Sequence, residues 1–311
     1  MKKKFNKKKL LLILGALLAL IYLGGNAYLV NYAFVRDSAT LGASAPKKAK
    51  LLTADQKWLK AQKTQTWQER SADGKLELKA LYLPAQKQTL KTIVIAHGYR
   101  ENNLQMASYI RMFHDLGYNV LAPDDRAAGK SEGKYITFGW LDRLDYQKWL
   151  TQVIQKNGSD SEIGLFGVSM GGATVMMLSG EKLPSQVKAI VEDCGYSSIK
   201  AELGEQLSAQ FGLPKEPILT TASWLARPFI GFDFKDGDTT KQLAKNKLPT
   251  LFIHGSKDRF VPSEMVYENY QANKSTKELW VVKGAAHGMS YYEDPSAYTK
   301  RVGDFMAKYL K

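Results

Sequence analysis

Between residues 167 and 171 the chain reads Gly167-Val168-Ser169-Met170-Gly171, placed between a short apolar run, 163–168, and a helix-like segment, 172–178. A G-x-S-x-G sequence between strand and helix predicts a very tight turn that holds the serine in a strained backbone conformation. Glycines are needed on both sides because side chains there would collide with the adjoining strand and helix. We therefore expect the Ser169 hydroxyl to stand clear of a sheet, as a candidate nucleophile.

A base and an acid that could activate this serine follow later in the chain. A serine hydroxyl attacks at neutral pH only when a base removes its proton, and an acid usually orients that base. His287 stands in a loop of small residues directly after a strand-like run, and Asp258 follows another such run. Because parallel strands end at a common edge of a sheet, we expect Ser169, Asp258 and His287 to meet there.

One acidic residue competes with Asp258, and three histidines receive structural interpretations. Asp193 follows the apolar run 187–191 and is the alternative acid. His97 is expected to brace the loop after the first parallel strand, and His254 the loop that carries the acid. His114 falls in a helical pattern, where a partly buried structural residue is expected.

Strand-like and helix-like runs alternate through most of the chain, which is typical of a doubly wound, mostly parallel α/β sheet. Residues 76–83 alternate with period two and predict an antiparallel edge strand. A helix is also expected at about 53–63. Further strands are expected at 92–97, 118–122, 163–168, 187–192, 250–254 and 279–282, with helices at 104–116, 139–155, 171–179, 263–272 and 295–310.

The spacing of these motifs resembles the α/β-hydrolase superfamily over about residues 70–311, since Ser, Asp and His occur in that family's order. Residues 97–99 match its HG-x segment, which implies that the Tyr99 and Met170 amides form an oxyanion hole. Residues 125–131 resemble its D-x-R-G-x-G-x-S loop, with alanine where a glycine is common. The chain looks most like the bacterial membrane-anchored cell surface hydrolases, which are similar to prolyl-oligopeptidase-type serine hydrolases, but it has no propeller-sized N-terminal domain.

The resemblance implies a serine hydrolase, and a carboxylesterase for short-to-medium acyl esters is the favoured interpretation. A serine peptidase or an acyltransferase would use the same residues, and a non-catalytic binding protein on the same fold is a further alternative. The mechanism calls for no organic cofactor and no metal, and the sequence contains no evident Cys/His cluster for zinc.

Residues 197–247 interrupt the alternation of strands and helices. Two helical runs, 199–211 and 218–229, carry several apolar residues, and an insertion at this place lies over the site in the superfamily. We therefore expect an inserted helical lid. Most of its apolar side chains are expected to pack the lid onto the domain. At least a subset, with Trp224 and Phe229 as candidates, is expected to line an acyl pocket.

The N-terminus predicts a membrane anchor. Six lysines among residues 2–9 precede an apolar run over 10–35, and about 20 apolar residues suffice to span a bilayer. The positive-inside rule places 1–9 in the cytoplasm. A segment at 37–70 and a hydrolase domain at 71–311 would then lie outside the cell, in a single-pass membrane protein. A cleaved signal peptide is the alternative, with residues 25–27 as a weak cleavage site.

Composition argues against several other classes of protein. The net charge of +14 falls to +8 without the six N-terminal lysines, and the remaining charges form no aromatic-interleaved basic stripe. Nucleic-acid binding is therefore not expected. With a single cysteine, Cys194, the chain forms no internal disulfide, and a domain of this size buries enough apolar surface without one. The oligomeric state is left open.

Overall fold

The computed structural model describes residues 7–36 and 46–311. Eight strands form one sheet: β1 (Gln65–Arg70), β2 (Glu77–Leu83), β3 (Lys91–Ala96), β4 (Asn119–Pro123), β5 (Glu162–Val168), β6 (Val187–Asp193), β7 (Thr250–Gly255) and β8 (Lys277–Val282). The helices are α1 (Lys7–Phe34), α2 (Pro46–Lys60), α3 (Ala107–Asp115), α4 (Asp142–Asn157), α5 (Met170–Leu178), α6 (Ile199–Phe211), α7 (Ile218–Ile230), α8 (Thr239–Leu243), α9 (Glu264–Ala272), α10 (Ser290–Glu293) and α11 (Pro295–Tyr309), with a 3-10 helix at Asn103–Met106.

The strands follow the order β1-β2-β4-β3-β5-β6-β7-β8. The pairs β1–β2 and β2–β4 are antiparallel, and all later pairs are parallel. One face of the sheet packs on α2, α3 and α11, and the other packs on α4 and α5. The doubly wound, mostly parallel α/β fold expected from the sequence is confirmed.

The prediction that residues 76–83 form the edge strand is wrong. β1 pairs along the outer side of β2, and the Trp67 ring stacks on Tyr82 with 4.4 Å between ring centroids. β1 escaped prediction because its sequence, QTWQER, is mostly polar. An edge strand can be polar because much of its surface faces water, so its pattern is weak.

The helix expected at 53–63 begins and ends earlier, as α2 at Pro46–Lys60. Its buried side chains Leu52 and Leu59 join the main hydrophobic core, and Asp55 accepts a hydrogen bond from Arg111 of α3 at 2.9 Å. The segment interpreted as juxtamembrane, 37–70, thus contributes both α2 and β1 to the folded domain. Part of that segment, 37–45, lies outside the described residues, as does 1–6.

Two regions outside the sheet matter for the site. The helices α6 and α7 occupy the interruption at 197–247 and match the expected helical runs closely. α1 has a mean hydropathy of 2.2 over its most apolar 18 residues, of which 6% are buried, and it is long enough to cross a membrane. A membrane anchor and a signal sequence both fit this length and composition.

Candidate active site

Ser169 occupies the tight turn between β5 and α5. Its backbone has φ 57° and ψ −119°, a conformation that non-glycine residues rarely adopt. A Cβ on Gly167 would lie 2.1 Å from the Gly171 carbonyl oxygen, and a Cβ on Gly171 would lie 2.1 Å from that of Ala96. Only glycine fits at either position, so the steric reason inferred from the sequence holds in the structure.

The three residues proposed for catalysis lie within hydrogen-bond distance of one another. The distance from His287 Nε2 to Ser169 Oγ is 2.9 Å, and that from His287 Nδ1 to Asp258 Oδ2 is 2.7 Å. A proton on His287 Nδ1 is donated to the Asp258 carboxylate. Nε2 then carries no proton and can accept the one from the Ser169 hydroxyl. The side chain of Asp258 is fully buried, whereas that of His287 remains 24% exposed.

Asp258 is held as a carboxylate by its surroundings. Its Oδ1 accepts hydrogen bonds from the backbone N–H groups of Phe260 at 2.9 Å and Val261 at 3.0 Å. Burial by itself would raise the pKa of Asp258, but hydrogen bonds from His254 and His287 outweigh that effect and lower the pKa to about 2. The acid therefore stays ionised at neutral pH and stabilises an imidazolium.

The alternative acid lies elsewhere in the hydrogen-bond network. Asp193 is fully buried, and its two oxygens accept hydrogen bonds from Ser290 Oγ at 3.0 Å and Tyr298 Oη at 2.9 Å. Both donors belong to the C-terminal helices. The structure thus brings Asp258, and not Asp193, into hydrogen-bond contact with His287.

The other histidines have the structural contacts expected of them. His97 Nε2 accepts a hydrogen bond from the Asp125 amide at 3.0 Å, which leaves Nδ1 to donate to the Gly98 carbonyl at 2.8 Å. His254 Nε2 lies 2.9 Å from the Val261 carbonyl and 3.3 Å from Asp258 Oδ2, so it braces the acid loop. His114 is buried in α3.

The two expected oxyanion-hole residues border Ser169. Met170 is the first residue of α5, and the first N–H groups of a helix have no partner within it. A Cβ on Gly98 would lie 3.7 Å from that of Ser169, which places the loop with Tyr99 beside the serine. The Tyr99 hydroxyl donates to the Ala33 carbonyl of α1 at 2.7 Å.

A largely apolar cavity opens over Ser169, with a volume of about 850 Å³ that includes its mouth. Much of its wall comes from α6 and α7, and Phe234 adds to it. The lining residues of the two helices are Leu203, Leu207, Phe211, Ile218, Leu219 and Ala222. The expectation that Trp224 and Phe229 line this pocket is wrong, because they are 70% and 63% exposed. α7 turns these two side chains away from the cavity.

The cavity has a second wall that sequence reasoning missed. Leu29, Val30, Ala33 and Phe34, all from the end of the apolar helix α1, line it together with Ser169. One signal was available in the sequence. The apolar run over 10–35 is longer than the roughly 20 residues that a bilayer requires, so the excess was free to pack elsewhere.

Comparison with known proteins indicates the family. Residues 87–227 match the family described as serine aminopeptidase, S33. The uncharacterized protein YqkD of Bacillus subtilis is 29% identical over 72% of this chain and 74% of its own length. The esterase Pf2001 of Pyrococcus furiosus is 26% identical, with a TM-score of 0.67 over 89% of this chain and 99% of its own. The chain belongs to the α/β-hydrolase superfamily.

A more distant structure shares only the fold with this α/β hydrolase. The acylaminoacyl peptidase of Pyrococcus horikoshii is 18% identical, with a TM-score of 0.60 over 82% of this chain and 43% of its own. The match covers less than half of that peptidase.

The position of Arg100, directly after Tyr99, suggests either a solvated loop arginine or a contact for an acidic leaving group. In the structure of this α/β hydrolase, Arg100 instead contacts the end of α1. Its guanidinium donates to the carbonyl of Tyr32 and lies over the rings of Tyr32 and Tyr99, 5.2 Å from each centroid. A cation at a helix C-terminus complements the helix dipole. Arg100 therefore ties α1 to the loop beside Ser169.

One group of potential metal ligands occurs among the described residues. Cys194, Asp258 and His287 each bring a ligand atom to within 4.8 Å of the others, a cluster that was not evident in the sequence. Burial raises the pKa of the Cys194 thiol well above its usual value. Because zinc binds the thiolate and not the thiol, this set of donors fits a metal poorly.

Proposed function

We propose that this α/β hydrolase is a membrane-anchored serine hydrolase that cleaves carboxylic esters through an acyl-enzyme. The observation that carries the proposal is the chain of hydrogen bonds from Asp258 through His287 to Ser169, at 2.7 and 2.9 Å. The likeness to the esterase Pf2001 supports the ester class. No other described side chain contacts His287 Nε2 in a way that would compete with the serine.

In the proposed mechanism, Ser169 Oγ attacks the ester carbonyl while His287 Nε2 takes its proton. Asp258 holds the imidazole in the required tautomer and stabilises the charge that forms. The tetrahedral oxyanion is met by the Met170 and Tyr99 amides, and one such donor typically lowers the barrier by about 3–4 kcal/mol. His287 then protonates the departing alcohol, and water, deprotonated by the same imidazole, releases the acid and restores Ser169.

The apolar cavity accounts for the proposed preference among esters. The acyl group would lie against α6 and α7, which act as the lid in this proposal. Each buried methylene stabilises the complex by about 0.8 kcal/mol, so kcat/KM should rise with chain length until the cavity is full. Short-to-medium acyl chains are the proposed substrates.

The proposed cellular location of the hydrolase domain follows from α1. The lysines at 2–4 and 7–9 favour a cytoplasmic N-terminus, with the hydrolase domain outside the cell. The possible cleavage site at 25–27 lies inside α1, where Asn26 is only 2% exposed. A signal peptide normally leaves the mature protein, so the burial of Asn26 against the domain supports an uncleaved anchor.

Aminopeptidase activity is the second candidate, favoured by the family match and by one buried carboxyl group. Glu202 lines the cavity and is 3% exposed. Its Oε1 accepts from Gln206 at 2.9 Å, while no described residue hydrogen-bonds its Oε2. Burial raises the pKa of Glu202 to about 8, so a substrate ammonium group would pair with that oxygen above about pH 8, where the carboxyl group is ionised.

A fluorophosphonate label followed by two substrate panels separates these functions. Wild-type full-length protein in detergent should be labelled at Ser169, and Ser169→Ala should lose the label and all turnover. Its melting temperature should stay nearly unchanged, since the hydroxyl contributes little to packing. We expect p-nitrophenyl esters to be cleaved well and aminoacyl anilides poorly. Ester hydrolysis by Ser169→Ala at the wild-type rate would disprove the nucleophile.

If anilides are instead the better substrates, Glu202→Gln provides the decisive control. A neutral amide cannot pair with an ammonium group, so at pH 9, where Glu202 is ionised, anilide cleavage should fall sharply while ester cleavage should fall much less. Equal losses on both substrates would remove Glu202 from amine recognition.

A further inference from the structure

The end of α1 is built into the hydrolase domain. The last four carbonyl groups of a helix have no partner within it, but here each has one. Asn31 bonds to the Val35 amide, Tyr32 to Arg100, Ala33 to the Tyr99 hydroxyl and Phe34 to the Ile136 amide. The Phe34 side chain is 1% exposed and packs between the rings of Phe138 and Phe234. These contacts fix the direction in which α1 leaves the domain.

α7 runs alongside α1 for most of its own length. Near the start of α7, the Tyr22 and Thr221 hydroxyls lie 2.9 Å apart. Near its end, Phe229 packs on Tyr135, which forms a β-bridge with Val35 at the end of α1. The shared stretch of α1 from Tyr22 to Val35 is about 20 Å long at a rise of about 1.5 Å per residue. α7 therefore runs in the same general direction as the anchor.

The length of α1 then sets the depth of α7 in a membrane. The hydrocarbon core of a bilayer is about 30 Å thick, which corresponds to about 20 helical residues. If the span begins at Leu10, directly after the last lysine, it ends near Leu29. The stretch from Tyr22 to Leu29 would lie in the outer leaflet, and the adjoining start of α7 would enter that leaflet with it.

The exposed surface of the lid fits such an immersion. Trp224 is 70% exposed and Phe229 is 63% exposed on α7, while Phe211 and Leu213 at the end of α6 are 36% and 37% exposed. Exposed large apolar and aromatic side chains are typical of a membrane-contacting surface. The immersion explains why Trp224, three residues after Thr221, points away from the cavity.

The cavity over Ser169 begins where this immersed region ends. Leu29 and Val30 of α1 line it, as do Leu219 and Ala222 of α7. We infer that the substrate is an acylated amphiphile of the outer leaflet, whose acyl chain reaches Ser169 between α1 and the helices α6 and α7. This inference rests on the proposed ester hydrolysis and names its substrate class. The acyl chain passes from lipid into an apolar cavity, so it never crosses water.

The membrane route is tested with the full-length protein in phosphatidylcholine nanodiscs. The substrates are a fluorogenic dodecanoyl ester, a medium-chain ester that partitions into the bilayer, and p-nitrophenyl acetate in the buffer. The measured quantity is the ratio of the two rates. Val30→Trp fills the cavity from α1. Ala27→Trp is the matched control, because Ala27 is exposed on the same helix one turn earlier.

Val30→Trp should lower the ratio about tenfold or more, which is the loss expected when two methylene groups no longer fit. Ala27→Trp should leave the ratio at the wild-type value. Equal ratios in the two variants would overturn the inference. So would a wild-type protein that cleaves p-nitrophenyl acetate in a Ser169-dependent manner but leaves the bilayer ester intact. Failure of the fluorophosphonate to label Ser169 would instead refute the proposed hydrolase.

A second measurement does not depend on the folding of any variant. For wild-type protein, the rate on the dodecanoyl ester should follow its mole fraction in the bilayer. Nanodiscs that contain more phosphatidylcholine per ester molecule, at the same total ester concentration, should therefore give a lower rate. A rate set only by the total ester concentration would show that the substrate arrives through water, and the membrane route would be wrong.

Discussion

Replacing Asp258 by asparagine is the sharpest test of the proposed acid. Oδ1 of the asparagine still accepts from the Phe260 and Val261 amides, so the acid loop keeps its shape. The amide nitrogen, however, takes the place of Oδ2, which lies 2.7 Å from His287 Nδ1. Two donors cannot share that contact. Nδ1 must then become the acceptor, and the ring proton moves to Nε2.

The size of the effect follows from that tautomer. A protonated Nε2 facing Ser169 Oγ at 2.9 Å cannot take the serine proton. In a serine protease the corresponding change lowers kcat by about 10⁴, which is about 5.5 kcal/mol of barrier at about 1.4 kcal/mol per factor of ten. We expect a loss of the same order for Asp258→Asn.

The assay is kcat for p-nitrophenyl butyrate near pH 8, with Asp193→Asn as the matched control. Asp193 has no hydrogen bond to His287, and its partners are Ser290 and Tyr298. Its substitution should lower the melting temperature, because it disturbs a buried network, and should lower kcat by less than about tenfold. A folded Asp258→Asn variant within tenfold of wild type, or the reverse ranking of the two variants, would refute the assignment.

Two further predictions concern topology and pH. In intact cells, an impermeant maleimide should label a cysteine introduced at Lys188 but not one at Lys3, and the mature chain should keep its N-terminus; a secreted chain beginning near Tyr28 would instead show cleavage. Burial raises the pKa of Glu202 to about 8, so the native state keeps a proton that the unfolded chain releases above about pH 4.5. Stability should thus fall as pH rises from about 4.5 to 8, and the stability gained by Glu202→Gln should grow over that range, by a few kcal/mol at most. Thermal unfolding at pH 5, 6.5 and 8 measures this, and a pH-independent difference between the two proteins would contradict it.

Much of the fold was accessible from the sequence because its signals are local. A buried parallel strand needs a short apolar run, and a helix after it needs a periodic one. The glycines at 167 and 171 report a steric collision within a few residues of themselves. β1 had no such signal, since its polar sequence gains its strand conformation only from pairing with β2.

The direction in which the apolar side chains of a helix point could not be predicted from the sequence. The sequence indicates that α7 is apolar but does not state which side meets a neighbour. Trp224 and Phe229 were expected in the cavity, whereas the structure places Leu219 and Ala222 there. Helix contacts with distant parts of the chain determine that choice.

By itself, the sequence determined the α/β sheet, the strained turn at Ser169 and the candidate partners at the ends of later strands, because each depends on residues close in the chain. Only the tertiary structure separated Asp258 from Asp193. Both follow neighbouring parallel strands, so their patterns are alike, and only hydrogen bonds formed across the fold distinguish them. Only the tertiary structure, likewise, placed the end of α1 in the wall of the cavity. An apolar helix loses contact with water whether it packs on lipid or on protein, and its sequence alone does not separate the two.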